Sequence, residues 1–447
     1  MERTPNTFLV IVIMVIVLLA MMWWARRGKP KASRVSNPIP LWRRWRPADP
    51  SRCDCCRAEI GQMSPPSPIS AVEAWSTRRS KRGRKKLIDS SGHYCPNPEC
   101  RYYLNRDAAS HALVSNGHHG VQAIRQWREA CQACGSYVSE RHDTAMSHLK
   151  TPLADVANAL DLLNRGNSQA DTAEHRGHDP RSVRLWLKRA AAQAMRVHDA
   201  YFQNLNLGHL QLDELFSHIK GDASRHCIWV ALDAVTKIIP VWHIGGRRLQ
   251  DAQVVVHQLK RRLASDCIPI FTSDQLRAYF TALTSHFGEF RQVFGHRTPI
   301  WHVSPKLLFA MVVKIRSGKR LKYAFTLPIF GTRGQIRDAL QALGLSGRIN
   351  TAYVERVNLS LRQLIAALHR KPFDKLRALP WSRTTLDHRF TWFCVVYHFV
   401  RPHMGLAGFS INGRAFKACS PAIAAGLTDH LWSIPDLLTW RPSPVLT

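Results

Sequence analysis

Three carboxylate residues, Asp213, Asp274 and Glu355, have the type and the setting to bind divalent metal. Asp213 lies in the alternating segment HLQLDELF, Asp274 ends the apolar segment IPIFTSD, and Glu355 lies in a segment with helical spacing. Carboxylates held close together repel one another, so a fold that gathers three of them usually does so around a cation. The set predicts a site for two magnesium or manganese ions, which could support an in-line displacement at a phosphodiester.

The segment that carries Glu355 repeats its polar residues as well as its apolar ones. In INTAYVERVNLSLRQL, apolar residues recur every three or four positions, and Glu355, Asn358 and Arg362 recur in the same way on another face. A solvated face with one paired carboxylate is the alternative interpretation. If the carboxylates hold metal, Arg362 could bind phosphate close to it, and Asn358 could orient a ligand or contact the nucleic acid strand.

Alternating strands and helices are predicted around these residues. The segment at 227–233 is almost wholly apolar, which is typical of a strand covered on both faces, and a further strand follows at 238–245. An amphipathic helix is predicted at 249–264, before a fourth strand that ends at Asp274. This order predicts a mixed α/β domain over residues 206–410, with helices flanking a mixed sheet.

Asp233 and Glu214 are the alternatives to Asp213 as the first carboxylate. Asp233 ends the most apolar strand, where an aspartate more often caps a turn, here through the following DAVT, than binds metal. Glu214 is predicted to point to the face opposite Asp213, because successive side chains of a strand alternate. Asp213 is therefore the preferred residue.

Two short cysteine pairs within residues 92–150 predict a structural zinc unit. CPNPEC contains Cys95 and Cys100, and CQACG contains Cys131 and Cys134. Two close pairs on separate turns can converge on one tetrahedral zinc ion, and the metal then folds a segment too small for its own core. Reduced surface thiols are one alternative. Other ligands could replace or supplement a pair: Cys53, Cys55, Cys56, His93, His118 and His119.

A helix-turn-helix is predicted within residues 151–205, in SQADTAEHRGHDPRSVRLWLKRA. Gly177 suits the turn, Asp179 the N-cap and Pro180 the first position of the second helix. An ordinary helical hairpin is the alternative. The buried contacts are predicted to come from Ala173, Val183 and Trp186. The exposed side of the second helix is predicted to contact phosphates and base edges through Arg181, Ser182, Arg184 and Lys188.

The charge of the chain indicates a polyanion partner. Lys and Arg number 63 against 31 Asp and Glu, which gives a formal net charge of +32. Nucleic acid is the first candidate for the partner and an anionic membrane surface the second. Residues 29–91 form a basic linker rich in Pro, Ser and Arg that includes a CxxC pair, and such runs can follow phosphates without reading sequence.

The first 28 residues contain an apolar segment at 8–24 with no charged residue. Its length is near the lower limit for a transmembrane helix, and basic residues follow it rather than precede it. That order argues against a cleaved signal peptide and predicts that the remaining chain is cytoplasmic and nucleoid-associated, with an anchor in the inner membrane. The alternative is a true start at Met21 or Met22, without an anchor.

Several motifs together resemble the catalytic core of DDE transposases of the insertion-sequence-one type. They are LQLDE, WVALDAVTK with a following GRR, FTSDQLRAY, YVERVNLSLRQ and YHFVRPHMGL. The similarity extends from about Leu207 to Leu406, and the cysteine and helix-turn-helix segments are similar to the DNA-binding half of that family. The resemblance implies a ribonuclease H-like core in which Asp213, Asp274 and Glu355 bind the catalytic magnesium. Arg362 matches the basic residue that follows the glutamate.

The resemblance also implies partners and marks two departures. The implied activity is metal-dependent cleavage and strand transfer of an insertion sequence, by a homo-oligomer bound to double-stranded DNA at the terminal repeats and the target. The long interval between Asp274 and Glu355 predicts an insertion at about 300–345, in which SGKRLKYAF forms a DNA-contacting hairpin. The membrane segment is foreign to the family pattern. Residues 411–447 are predicted as a C-terminal tail.

Two alternatives to an active transposase remain. One is a catalytically inactive, transposase-derived regulator that binds DNA. The other is a membrane-anchored basic protein whose α/β core is only a scaffold.

Overall fold

The structure is a computed structural model, and it describes most of the chain after the basic linker. The described residues are 93–106, 112–119, 126–222, 225–294, 296–318, 320–369, 378–408, 410–411, 414–415 and 418–442. The predicted membrane segment at 8–24 and the linker at 29–91 lie outside these residues. Among the described helices, none is long and apolar enough to cross a bilayer.

The described chain begins with a small sheet and three helices. The antiparallel sheet has the order β1 (Leu113–His119), β2 (Gln126–Cys131) and β3 (Tyr137–Ser139). The helices are α1 (Leu153–Asn164), α2 (Gln169–Arg176) and α3 (Pro180–Tyr201). Asp179 caps α3 by accepting a hydrogen bond from the backbone nitrogen of Arg181, and Gly177 ends α2 with a φ of 65°. Both capping predictions are confirmed, because Gly tolerates this left-handed conformation.

A six-stranded mixed sheet forms the centre of the molecule, in the order β11, β10, β7, β4, β5, β6. Its strands are β4 (His209–Ser217), β5 (His226–Asp233), β6 (Val241–Gly245), β7 (Ile270–Asp274), β10 (Leu308–Ser317) and β11 (Arg320–Phe330). A separate pair comprises β8 (Gly288–Arg291) and β9 (Ile300–Val303). In the central sheet, β4 pairs in parallel with β7 and β7 with β10, whereas the other neighbours are antiparallel.

Helices cover both faces of this sheet. They are α4 (Leu249–Arg262), α5 (Arg277–His286), α6 (Arg333–Ala342), α7 (Ala352–Leu364) and α8 (Arg383–Phe399). Leu210 and Leu212 of β4 lie in one hydrophobic core that includes α3, α4 and α5. The opposite face of β4 meets α7, where Gln211 accepts a hydrogen bond from the backbone nitrogen of Val354. The predicted alternation of β4 is therefore confirmed.

The predicted insertion at about 300–345 is partly integral to the sheet. The hairpin around SGKRLKYAF is present as β10 and β11, and β10 is an internal strand because it pairs with both β7 and β11. Its register with β7 ends at Val312, which lies opposite Asp274. Beyond that point the two hairpin strands pair only with each other, so the distal half of the hairpin extends past the end of β7.

The segment predicted as a C-terminal tail instead contributes to the core. After the short pair β12 (Ser410–Ile411) and β13 (Arg414–Ala415) come two short helices, α9 (Pro421–Ala424) and α10 (Ile434–Thr439). Leu437 and Leu438 are fully buried in the same core as α3. The side-chain amide of Gln193 in α3 donates a hydrogen bond to the backbone oxygen of Trp440. The helix-turn-helix segment and the C-terminal segment therefore share one hydrophobic core with the sheet.

Candidate functional site

Asp213 and Asp274 lie side by side because their strands are parallel neighbours. Leu212 of β4 is opposite Ser273 of β7, and the next residue along each strand is one of the two aspartates. Asp274 is the last residue of β7, and its Oδ1 accepts a hydrogen bond from the backbone nitrogen of Leu276. The structure thus brings together two of the three predicted metal ligands.

Glu214 is the third member of this cluster, although its position in β4 lies on the face opposite Asp213, as predicted. Its cross-strand partner Trp229 lies in one hydrophobic core and Val230, the partner of Asp213, in the other. One carboxylate oxygen from each of Asp213, Glu214 and Asp274 lies within 4.8 Å of the others. Beyond Leu212, β4 is no longer paired with β7, so the longer Glu214 side chain can reach past the end of β7. Sequence alternation alone misses this contact, because it says nothing about where a neighbouring strand ends. We call these three residues the acidic cluster.

The acidic cluster is electrostatically costly without a cation. Burial raises the pKa of Asp213 to about 6, and the nearby charges of Asp274 and Glu355 add to this effect. Burial also raises the pKa of Glu214 to about 8, with the charge of Asp274 as the next cause, although Arg247 opposes it. The pKa of Asp274 is raised for the same first reason. A bound divalent cation would favour the ionised forms and relieve this repulsion.

Glu355 lies beside the acidic cluster but is not part of it. It occupies the first turn of α7, and 47% of its side chain is exposed. The hydroxyl of Thr351 donates a hydrogen bond of 2.7 Å to Glu355 Oε1, and Lys314 of β10 forms an ion pair with the same oxygen. Its charge still raises the pKa values of Asp213 and Asp274. Glu355 is therefore close enough to affect the cluster electrostatically, and its carboxylate is already paired with the ammonium group of Lys314.

Asn358 belongs to the site rather than to a solvated helix face. It is only 2% exposed, and its Nδ2 donates a hydrogen bond of 2.8 Å to Asp213 Oδ2. Its Oδ1 has no hydrogen-bond partner among the described residues. The expected DNA contact through Asn358 is thus corrected, because the side chain faces β4. Arg362, one turn later, is half-buried. Helical spacing places the two on one face but cannot tell which of them the sheet covers.

Gln211 positions α7 over the cluster, and the sequence analysis did not single it out. It is fully buried on the same face of β4 as Asp213. Its Oε1 accepts a hydrogen bond of 2.9 Å from the backbone nitrogen of Val354, one of the helix-start nitrogens that lack a partner within the helix. Its Nε2 donates a hydrogen bond of 2.9 Å to the backbone oxygen of Asn350. The available signal was a polar residue on the Asp213 face of an otherwise buried strand.

Asp233, the alternative first carboxylate, caps a turn as its sequence context suggests. It is fully buried, and its Oδ2 accepts hydrogen bonds of 2.7 Å from both the backbone nitrogen and the hydroxyl of Thr236. Its Oδ1 accepts a third hydrogen bond, of 3.2 Å, from the backbone nitrogen of His209. The Asp233 carboxylate is therefore satisfied by its own turn and by the neighbouring strand β4, and it stands apart from the acidic cluster.

The four predicted cysteines converge on one point. Sulfur atoms of Cys95, Cys100, Cys131 and Cys134 all lie within 4.8 Å of one another, and this group contains no histidine. The Sγ atoms of Cys95 and Cys134 are 3.4 Å apart, and those of Cys100 and Cys131 are 3.8 Å apart. Such a group could hold a tetrahedral metal ion such as zinc. The alternative ligands Cys53, Cys55 and Cys56 lie outside the described residues.

Local backbone structure presents these sulfur atoms. In the first turn, the backbone nitrogen of Cys100 donates a hydrogen bond of 3.0 Å to the backbone oxygen of Asn97. In the second turn, the nitrogen of Gly135 donates one of 2.8 Å to the oxygen of Cys131, and the φ of Gly135 is 74°. Burial raises the pKa of Cys100, so a neutral thiol is favoured there unless a metal binds the thiolate.

The second helix of the predicted helix-turn-helix exposes most of the predicted DNA contacts. Arg181, Arg184 and Lys188 are exposed, whereas Ser182 is half-buried. The predicted apolar contacts are confirmed: Ala173, Val183 and Trp186 are each no more than 3% exposed. The C-terminal part of α3 is buried in the main core. This segment therefore combines a rigidly held helix with an exposed basic surface at its N-terminal end.

The chain matches no protein-family model and no curated protein.

Proposed function

We propose that the protein is a DDE transposase that cuts and joins DNA with magnesium or manganese. The observation that carries this proposal is the approach of Asp213, in the middle of β4, to Asp274, at the end of the parallel strand β7. Glu355 lies on the adjacent helix and is close enough to raise both pKa values. The sheet order supports it as well. Three antiparallel strands followed by two parallel ones are the arrangement expected of a ribonuclease H-like core.

The side chains have distinct roles in this proposal. Asp213 and Asp274 would hold divalent metal, which supplies activation of a water or a 3′-hydroxyl and stabilisation of the leaving oxygen. Asn358 holds the Asp213 carboxylate in one orientation through its 2.8 Å hydrogen bond. Glu355 would complete the ligand set after it leaves Lys314. No covalent intermediate with the enzyme is needed.

The remaining parts of the chain would bind DNA. The four-cysteine unit, with structural zinc, and the basic N-terminal part of α3 would recognise the ends of the element. The net charge of +32 supports a polyanion partner. The distal part of the β10–β11 hairpin would follow the DNA beside the active site, because it extends past the end of β7, where Asp274 lies. A homo-oligomer on paired DNA ends and an inner-membrane anchor through residues 8–24 also belong to the proposal.

Cleavage of DNA that carries the flanks of the gene tests this function. The full-length protein is incubated with that DNA and with magnesium, manganese or a chelator. Asp213→Asn, Asp274→Asn and Glu355→Gln should each lower cleavage and joining by more than about 100-fold, a loss larger than that for outer-shell partners of a metal. DNA binding should be retained. Glu289→Gln, which neutralises an exposed carboxylate on β8, is the matched control.

The outcome also decides between the proposal and its alternatives. Metal-dependent cleavage that only the three active-site substitutions abolish supports the transposase. DNA binding without cleavage by the folded, zinc-loaded wild type would favour the inactive regulator. Absence of DNA binding, together with membrane association that is lost when the chain starts at Met22, would favour the membrane-anchored scaffold.

A further inference from the structure

Two buried polar atoms at the acidic cluster lack hydrogen-bond partners. They are Glu214 Oε1 and Asn358 Oδ1. The side chain of Glu214 is only 3% exposed, so water does not solvate it freely. A buried polar oxygen without a donor costs free energy comparable to a lost hydrogen bond, and for a carboxylate the cost is larger. Both oxygens are therefore unsatisfied acceptors at the acidic cluster.

The cations already near these residues do not satisfy Glu214. The guanidinium of Arg247 lies 3.7 Å from Glu214 Oε1, beyond hydrogen-bonding distance, and about half of the Arg247 side chain is exposed. Lys314 is bound to Glu355 instead. The buried Tyr279 side chain is close enough to Glu214 for the charge of Glu214 to raise its pKa. Its hydroxyl also has no hydrogen-bond partner among the described residues.

We propose that Asp213, Glu214 and Asp274 form a divalent-cation site that fills before DNA binds, with Glu214 as the third carboxylate in place of Glu355. Each of the three supplies an oxygen within 4.8 Å of the other two, whereas Glu355 is held by Lys314 outside this group. Asn358 is a positioning residue, since it fixes Asp213. A donor set made only of oxygen atoms suits magnesium, manganese or calcium rather than zinc.

This inference deepens the proposed function, on which it relies for the metal being magnesium or manganese. It gives the active site two successive ligand sets. Glu214 serves the DNA-free protein, and Glu355 is held in reserve by Lys314. Because Lys314 lies just beyond the last β10 residue that pairs with β7, at the base of the extended hairpin, DNA phosphate bound there would compete with Glu355 for it. Release of Glu355 would then be coupled to DNA binding.

Manganese binding to the DNA-free protein tests the proposal without any reaction. Free and bound manganese are measured by electron paramagnetic resonance for the zinc-loaded, full-length wild type and for Glu214→Gln, Glu355→Gln and the control Glu289→Gln. Glu214→Gln should weaken manganese binding by at least about 10-fold, as expected for loss of a ligand. Glu289→Gln should bind as the wild type does. Glu355→Gln should change the affinity by less than Glu214→Gln does, because Glu355 lies beside the cluster without supplying one of its oxygens. Thermal melting verifies that each variant is folded.

Three results would overturn the proposal. The first is that Glu355→Gln loses manganese binding while Glu214→Gln retains it, which would make Glu355 the resident ligand. The second is unchanged binding in both variants. The third is no binding by the wild type. If Glu214→Gln fails to fold, Glu214→Asp replaces it, because a shorter carboxylate should give weakened rather than absent binding.

The proposed function and this inference fail in different ways. Unaltered manganese binding in Glu214→Gln, alongside DNA cleavage by the wild type, would remove the inference and leave the transposase. Binding that depends on Glu214, without any DNA cleavage, would keep the cation site and remove the proposed activity.

Discussion

The side-chain amide of Asn358 donates a hydrogen bond of 2.8 Å to the carboxylate of Asp213, from a helix to a strand 145 residues earlier in the chain. This contact joins the helix of Glu355 to the strand of the first aspartate. It also lowers the pKa of Asp213, against the larger effect of burial. One hydrogen bond thus orients a proposed metal ligand and favours its ionised form.

Replacement of Asn358 by Ala should lower DNA cleavage by about 10- to 100-fold while DNA binding is retained. The physical reason is that Asp213 loses the donor that holds its carboxylate, so the metal ligand becomes mobile. Gln363→Ala is the control, because Gln363 is an exposed residue of the same helix. Cleavage rates and DNA affinity are measured side by side. Equal cleavage by Asn358→Ala and wild type would contradict the positioning role.

Replacement of Lys314 by Met should strengthen manganese binding to the DNA-free protein. The substitution removes a positive charge that lowers the pKa of Asp274, and it removes the ion pair with Glu355. Partly exposed ion pairs are worth at most about 1 kcal/mol, so the expected gain is up to about fivefold in affinity. Lys322→Met on β11 removes an exposed charge from the same hairpin and serves as the control. Weaker manganese binding by Lys314→Met than by the wild type would contradict this prediction.

Replacement of Cys131 by Ser should remove the structural metal and unfold the small sheet around it. The four sulfur atoms converge on one point, and zinc binding contributes roughly 10 to 16 kcal/mol in small zinc units. Zinc content by mass spectrometry should fall, and limited proteolysis should cut within residues 93–150. Cys267→Ser changes a thiol outside the group and is the control. Retention of zinc by Cys131→Ser would show that other ligands suffice.

Replacement of Arg184 and Lys188 by Ala should weaken DNA binding and reduce its dependence on salt. Both side chains are exposed on the basic part of α3. Each lost phosphate contact should lower the slope of log affinity against log salt by about 0.9. Affinities are measured over a range of salt concentrations. Arg337→Ala removes one positive charge from an exposed residue of α6. A reduction in slope per removed charge equal to that for Arg184 and Lys188 would indicate a general charge effect.

Replacement of His198 by Phe should make the protein less sensitive to acid. His198 is buried between aromatic rings, with its ring 4.1 Å from that of Phe202, and burial lowers its pKa to about 4. The unfolded chain binds this proton near pH 6.5, so stability is full above that pH and is lost as the pH falls toward 4. The loss at about pH 5 should be about 2 kcal/mol.

Urea unfolding at about pH 5 and about pH 7.5 measures this loss. The difference in free energy of unfolding between the two conditions should shrink by about 2 kcal/mol in His198→Phe. The exposed His175, replaced by Phe, is the control and should leave the difference unchanged. An equal pH dependence in His198→Phe and wild type would mean that the buried imidazole accepts its proton without penalty.

Local patterns were sufficient for the elements and for the cysteine group. Alternation in HLQLDELF predicted the inner and outer faces of β4, and the apolar run before Asp274 predicted the end of β7. Asp179 and Pro180, which follow the turn residue Gly177, predicted the start of α3, because capping depends on residues within one turn. Two short cysteine pairs predicted the four-sulfur group, since the pairing of close ligands is itself local.

Tertiary structure decided the membership of the active site. Glu214 joins Asp213 only because β7 ends one residue past its register with β4, and Asn358 is buried only because α7 presents that face to the sheet. Lys314 reaches Glu355 because β10 passes beside β7. None of these contacts follows from a repeat within one segment, because each depends on where a distant strand or helix ends. The sequence by itself determined which residues could carry the chemistry, and the packing of separate elements decided which of them meet.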